Sequence, residues 1–357
     1  MRVLVAMSGG VDSSVAAALL RQDGHEVVGA TLKLWGGASD SGCCSVADVD
    51  DARRVAQQLG VDHHVFGLTE EFEASVVGPY VDAHARGLAP NPCIECNRHI
   101  KFDQLLERAR RLGFDALATG HHARVGRAEE PDGGTRFRLL RGVDERKDQS
   151  YVLSMLGQSQ LRQVVLPVGA LTKAEVREMA RRLGLRTADK PDSQDVCFIH
   201  GAEGRAGFLG RRLALQPGTV VDGRTGAVVG AVPAVELVTV GQRRGMGHAA
   251  GGTRQYVSSV DVAARRVVVN GAEEAAVGEV SLRPDSLTWV DDPVPNGAAA
   301  IAQVSAHARP VPCTFVAEQG GVAVRFADRQ RPVAPGQTVA LYDPADPDAV
   351  VGAGIAA

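Results

Sequence analysis

Lysine is nearly missing from this chain. Although Lys and Arg together number 39 in 357 residues, lysine stands only at Lys33, Lys101, Lys147, Lys173 and Lys190. Where composition has moved so far toward arginine, a surviving lysine marks either a place that needs a compact ammonium charge or a chance survivor. Long apolar runs are missing too, and no stretch is long and apolar enough to span a bilayer. The N-terminus reaches a glycine-rich loop after one short apolar strand, without the charged region and cleavage site of a signal peptide, so the expected setting is the cytoplasm and no membrane partner. The formal net charge of -3 excludes a generic DNA coater or membrane binder, while local basic patches stay open. Cysteine is sparse: six residues, at 43, 44, 93, 96, 197 and 313, are too few and too unevenly spaced for a secreted disulfide scaffold. In a reducing compartment, a Cys-x-x-Cys suggests redox, metal or sulfur chemistry instead.

The most telling segment present is Ser8-Gly9-Gly10-Val11-Asp12-Ser13-Ser14, directly behind the apolar run 3–7 and ahead of the helical stretch 15–20. Gly9 and Gly10 let backbone N–H groups approach an anion, the following helix aims its positive end at the same place, and Ser8, Ser13 and Ser14 add hydroxyls. A Walker A loop ends in Gly-Lys-Ser/Thr; here the lysine is absent and Asp12 stands in the turn. A carboxylate beside a triphosphate is tolerable if it helps hold Mg²⁺ or orders the groups that grip pyrophosphate. The loop resembles the PP-loop of N-type ATP pyrophosphatases, which implies adenylation of an oxygen with pyrophosphate as leaving group. The bland alternative is an ordinary Gly-Ser strand-to-helix turn.

Residues 1 to about 200 alternate short apolar strands with amphipathic helices, the pattern of an α/β doubly wound parallel sheet whose ligands sit beyond the carboxyl ends of the strands. After about residue 205, turn signals punctuate short Val- and Thr-rich runs, so the remainder is predicted β-rich. The expected division is a catalytic domain over 1–204, a small β-rich central domain over 205–276 and a C-terminal β-barrel over 277–357.

The second telling segment is Asn91-Pro92-Cys93-Ile94-Glu95-Cys96-Asn97-Arg98-His99-Ile100-Lys101-Phe102, predicted as a proline-bounded loop in which cationic neighbours favour thiolate. A further thiol, Cys197, lies in 192–199, predicted as a polar turn entering an apolar strand. Zinc is disfavoured because no partner pair has ribbon spacing. Cys43, Cys44 and Cys313 read as inert thiols, which leaves sulfur transfer for Cys96 and Cys197.

Together the Ser8 loop, 91–102, Ala118-Thr119-Gly120-His121, Lys147-Asp148-Gln149-Ser150-Tyr151, 192–199 and Gly241-Gln242-Arg243-Arg244-Gly245 resemble, in the same order and over essentially the whole chain, the bacterial tRNA-specific 2-thiouridylases. The resemblance implies replacement of the C2 oxygen of the wobble uridine, position 34 of tRNAs for lysine, glutamate and glutamine, by sulfur. ATP with Mg²⁺ would meet Ala6, Met7, Ser8, Gly9, Gly10, Val11, Asp12 and Ser13, with Leu32 and Gly120 framing the adenosine. Cys197 would carry a persulfide supplied by a sulfur-relay protein or cysteine desulfurase, Cys96 would be the nucleophile, and the two would end each turnover as a transient disulfide. Asn91, Pro92 and Cys93 would meet the target base. His121, Lys147, Asp148, Gln149 and Gln337 would touch tRNA, and the protein would act as a monomer. The resemblance itself implies no resident metal.

Two departures stand out. Cys93 occupies a position where family members carry an aspartate, so an acid/base role there is in doubt; either Cys93 joins the thiol chemistry or Cys93, Cys96 and Cys197 ligate a [4Fe-4S] cluster. Near Ser305-Ala306-His307 an Arg-Tyr-Arg-like tRNA contact is weakened, or replaced by Arg309. Arg243 and Arg244 read either as a phosphate-binding turn or as solvated charges. The pair His121-His122 reads as an RNA contact or a solvated turn, and His63-His64 as residues flanking a strand. Two rival functions are another PP-loop ligase using ammonia or an amino acid, and a non-enzymatic ATP-sensing RNA-binding adaptor; neither gives the thiols a purpose.

Overall fold

The structure, a computed structural model, describes residues 1–34, 45–130, 133–192, 196–199, 204–246, 254–318 and 321–357. Cys43, Cys44, residues 193–195 and Gly247 lie outside them. Among the described residues no helix is long and apolar enough to cross a membrane.

Strand β1 (Arg2–Ala6) lies at the centre of a five-stranded sheet with β2 (Glu26–Lys33), β3 (Asp62–Gly67), β4 (Ala116–Thr119) and β7 (Val164–Val165), in the order β3-β2-β1-β4-β7. Every pairing in it is parallel. Alternate residues of β1 enter opposite cores, which the two-residue period of a strand requires. Val3 and Val5 pack with helix α1 (Val11–Gln22), helix α2 (Val46–Leu59) and the helix Lys173–Arg182, whereas Leu4 packs with Phe72, Tyr80, Ile94 and Ile100. The sheet is therefore covered on both faces, as the doubly wound expectation holds.

Strands β8 (Gly218–Asp222), β9 (Val228–Val232), β10 (Tyr256–Asp261) and β11 (Arg266–Asn270) form a separate sheet over a small valine core. The last sheet contains β12 (Val277–Leu282), β14 (Ala299–Gln303), β15 (Val311–Glu318), β16 (Gly321–Gln330), β17 (Thr338–Tyr342) and β18 (Ala349–Ile355), with β13 (Thr288–Trp289) paired to β18. A bridge between Leu282 and Ala356 joins its first strand to the residue after its last, which closes the barrel. The hairpin of β5 (Ala123–Glu129) and β6 (Thr135–Arg141), although early in the chain, extends this sheet by pairing Leu139 and Leu140 with Val350 and Ala349.

Four local expectations are corrected. Helix α1 begins at Val11, so Asp12 and Ser13 occupy its first turn, not the loop. Residues 92–111 are helical: Pro92–Glu95 is one α-turn capped by Asn91, which runs through π-helical Cys96–Leu105 into Leu106–Arg111. Phe198 and Ile199 enter no strand; Phe198 instead packs edge-on against Phe72 and Tyr80. His63 and His64 lie inside β3, where His63 Nε2 is 2.8 Å from Thr31 Oγ1.

Candidate active site

The Ser8 loop leaves β1 at the carboxyl edge of the sheet. Gly9 has φ 73°, and a Cβ there would lie 2.3 Å from the Asp48 carbonyl oxygen, so both the backbone conformation and the close approach of α2 demand glycine. The Ser13 hydroxyl donates to the Gly10 carbonyl at 3.1 Å and accepts from the Ser8 N–H at 3.2 Å, which fixes the loop's curvature. Met7 spends its own backbone on Ala30 and Thr31, and its side chain is buried. Across the mouth, a Cβ on Gly120 would lie 2.5 Å from the Ser13 nitrogen, so the turn after β4 rests directly on the start of α1. Leu32 is buried at the end of β2.

Two of the five lysines reach this loop, and a third joins them through Asp192. Lys173 Nζ donates to both Asp12 oxygens at 2.7 Å and lies 2.9 Å from Asp192 Oδ1. Lys147 Nζ reaches Asp192 Oδ2 at 2.7 Å, and Arg177 reaches Asp192 Oδ1 at 2.8 Å. Lys190 Nζ holds the Gly9 carbonyl at 3.0 Å together with Asp48 at 2.6 Å and Asp51 at 2.8 Å. Lys173 is placed by its helix terminus: Thr172 and Glu175 form a capping box, and Asp144 accepts the Lys173 N–H at 2.9 Å.

His122 completes the Asp12 environment. Its ring is buried, and Nε2 donates to Asp12 Oδ1 at 3.1 Å. Burial opposes ionisation of Asp12, but the hydrogen bonds from His122 and Lys173 outweigh it and hold the carboxyl below its usual range. Asp192 follows the same logic: burial raises it, while the hydrogen bonds of Lys147 and Lys173 bring it down to about 2. With both Asp12 oxygens engaged by Lys173, the donor set does not fit Mg²⁺ on this carboxylate; Asp12 orders cations and the start of α1 instead.

Of the thiols, Cys96 is buried within the core under the sheet, Cys197 packs half-buried against the same core, and Cys93 is exposed. The cationic neighbours expected to favour thiolate are partly drawn off by Glu95, which lies 3.3 Å from His99 and 3.7 Å from Arg98. Asn91 caps its helix by accepting the Cys93 N–H at 3.0 Å. Among the described residues no three His, Cys, Asp or Glu side chains are grouped to hold a metal ion. Cys313 is a buried barrel residue whose thiol burial pushes up to about 11, in keeping with an inert role.

A cavity of about 460 Å³ opens beside the thiols, lined by Pro92, Val196, Gln337, Tyr80, His84 and Arg205 among others. It brings Pro92 and Gln337, far apart in sequence, into one space with the neighbour of Cys197. Burial, then the Arg205 charge, lowers His84 to about 4, so the imidazole is neutral at neutral pH beside the Arg205 guanidinium.

The residues expected to touch RNA divide. His121 is buried, its Nδ1 lies 2.7 Å from Thr119 Oγ1, and burial with Lys101 nearby lowers its pKa well below the usual value. Neither His121 nor His122 is a solvated turn residue. Asp148 has its carboxylate saturated by Arg141, the Gly142 N–H and Ser150, which gives it a positioning role inside the chain. Gln149 accepts the His122 N–H at 2.8 Å. Arg141 also donates to Gln303 at 2.9 Å, and Gln303 donates to Ser305 and Ala306, so 147–149 and 305–309 are tied together; His307 and Arg309 are exposed there.

Lys173, Lys190 and His122 hold Asp12 and the Gly9 carbonyl, and motif reading did not assign them to the site. Lysine scarcity was the available signal for the first two, and the Thr172-x-x-Glu175 box marked where one of them would be fixed.

Comparison with known proteins places this geometry in a family. The tRNA methyl transferase HUP domain profile matches residues 1–201, the tRNA methyl transferase PRC-barrel domain profile matches 206–271, and the aminomethyltransferase beta-barrel domain profile matches 280–356. The tRNA-specific 2-thiouridylase MnmA of Roseiflexus sp. (strain RS-1) is 46% identical over 99% of this chain and 98% of its own. That of Roseiflexus castenholzii is 45% identical over 96% of each. That of Geobacter metallireducens is 43% identical over 99% of this chain and 96% of its own. With identity at this level along essentially the whole length, the chain belongs to the family of tRNA-specific 2-thiouridylases.

Proposed function

We propose that the chain converts the wobble uridine of tRNAs of the lysine, glutamate and glutamine type to 2-thiouridine at the expense of ATP, acting as a monomer. The observation that carries this reading is the chain Asp12–Lys173–Asp192. It ties Asp12, behind the phosphate loop, to Asp192, five residues before Cys197, which supports a reading in which activation and sulfur delivery share one site.

ATP lies with its phosphates on 8–13 and its adenosine toward Leu32 and Gly120. A uridine turned out of the anticodon stack enters the cavity bounded by Pro92 and Gln337, in the way base-modifying enzymes extract their targets. Its O2 attacks the α-phosphorus, pyrophosphate departs, and C2 carries an AMP leaving group. The terminal sulfur of a Cys197 persulfide, loaded by a relay protein or desulfurase, attacks C2 and AMP departs with the original oxygen. Cys96 thiolate then attacks the Cys197 sulfur, which leaves the transferred sulfur on the base and a Cys96–Cys197 disulfide that external thiol reduces. In a variant of this route Cys96 attacks first and releases hydrogen sulfide, which becomes the nucleophile. Cys93 is not needed in either.

Pyrophosphate release from ATP, measured with and without tRNA alongside nucleoside analysis, tests the reading. Release that depends on tRNA and accompanies thiouridine supports it. Release without tRNA indicates a small-molecule ligase, and no release indicates an adaptor.

A further inference from the structure

We infer a dedicated RNA phosphate site in the arginine-lined pocket beside the target cavity. The pocket, of about 530 Å³, is lined by Arg205, Arg243, Arg244, Arg331, Gln242 and Tyr256, among others. Its four guanidiniums come from three parts of the chain: the helix Gly204–Gly210, the turn before β10, and the residue after β16. None of the four has a carboxylate within 4.0 Å among the described residues. Positive charge gathered into one concavity, without a carboxylate partner among the described residues, calls for an anion in a chain with net charge -3.

The site is rigidly built. Gly241 and Gly245 hold φ of 83° and 80°, conformations that favour glycine, and frame Arg243 and Arg244. The turn is bound to β10 by Gly241 N–H to the Val257 carbonyl at 2.8 Å and by Val257 N–H to the Gln242 carbonyl at 3.0 Å. The Gln242 side chain closes it by donating to the Arg244 carbonyl at 2.9 Å. Arg205, whose Nη2 donates to the Leu237 carbonyl at 2.7 Å, also lines the cavity that holds Pro92 and Gln337. The two spaces therefore share a wall. The occupant is a backbone phosphate next to the extracted uridine, and the arginines hold the strand while its base is in the cavity. This rests on the tRNA reading above and names its anchoring phosphate.

Equilibrium binding of anticodon stem-loop RNA across salt, for wild type and Arg243→Ala, Arg244→Ala and Arg331→Ala, tests the site. Each lost contact is expected to flatten the logarithmic salt slope by about 0.7 and to weaken binding roughly fourfold at 150 mM salt. Arg244→Lys keeps the slope, and matched thermal melts show that folding is intact. A neutral methylphosphonate at the phosphates flanking the uridine weakens wild type, and the same substitution costs Arg244→Ala nothing further, as coupled partners require. Unchanged slopes, or fully additive losses, overturn the phosphate site while leaving thiolation standing. Wild type that neither binds the RNA nor forms thiouridine overturns the tRNA reading itself.

Discussion

Lys173→Ala is expected to lower tRNA-dependent pyrophosphate release by about 100-fold or more, the scale seen when one preorganised group facing transferred charge is removed. The ammonium lies between Asp12 and Asp192, with side-chain exposure of 11% against 30% and 18% for the two carboxylates. Without it, Asp12 faces the incoming triphosphate as an anion held only by His122, and the loop repels its ligand. Stability falls as well, by about 1–3 kcal/mol, less than for a fully buried pair because both carboxylates keep some solvent. Lys173→Arg is not expected to rescue activity, since a planar guanidinium cannot place one nitrogen on three oxygens. Asp12→Asn combined with Lys173→Met should recover part of the loss, because the two residues act through each other. Pyrophosphate release close to wild type in a folded Lys173→Ala protein would contradict this role.

The second large effect separates the two half-reactions. Cys197→Ser and Cys96→Ser are each expected to abolish thiouridine, measured by nucleoside chromatography, while tRNA-dependent pyrophosphate release continues. Adenylation draws on the loop and its lysines; sulfur transfer draws on the thiols. Cys93→Ala is expected to keep forming thiouridine, because the exposed Cys93 has no step in either sulfur route. Loss of thiouridine in Cys93→Ala, with iron in the anaerobically purified wild type, would restore the three-cysteine cluster.

Much of the fold was legible because it is carried by local pattern. The alternation of apolar strands with amphipathic helices gave the parallel sheet, and valine-rich runs between turn signals gave the two β-rich parts. The pairing of β6 with β18 was not legible, since it joins residues about 210 positions apart through register alone. The same distance effect hid the centre of the site: Lys173 meets Asp12 across 161 residues and Lys190 meets Gly9 across 181. A loop motif shows which backbone cradles phosphate, but not which distant side chain replaces the lysine it lacks. The internal partners of Asp148 and His121 were hidden for a related reason. Their types suit RNA contact, and only the folded chain shows that Arg141, Ser150 and Thr119 also hold them.

The central claim is that the uridine C2 oxygen attacks the α-phosphorus and leaves on AMP. RNA carrying ¹⁸O at C2 of the target uridine, turned over with unlabelled ATP, tests it directly by mass spectrometry of the AMP produced. The account predicts one ¹⁸O in AMP for each thiouridine formed. AMP free of label beside labelled water, with thiouridine still accumulating, would contradict it.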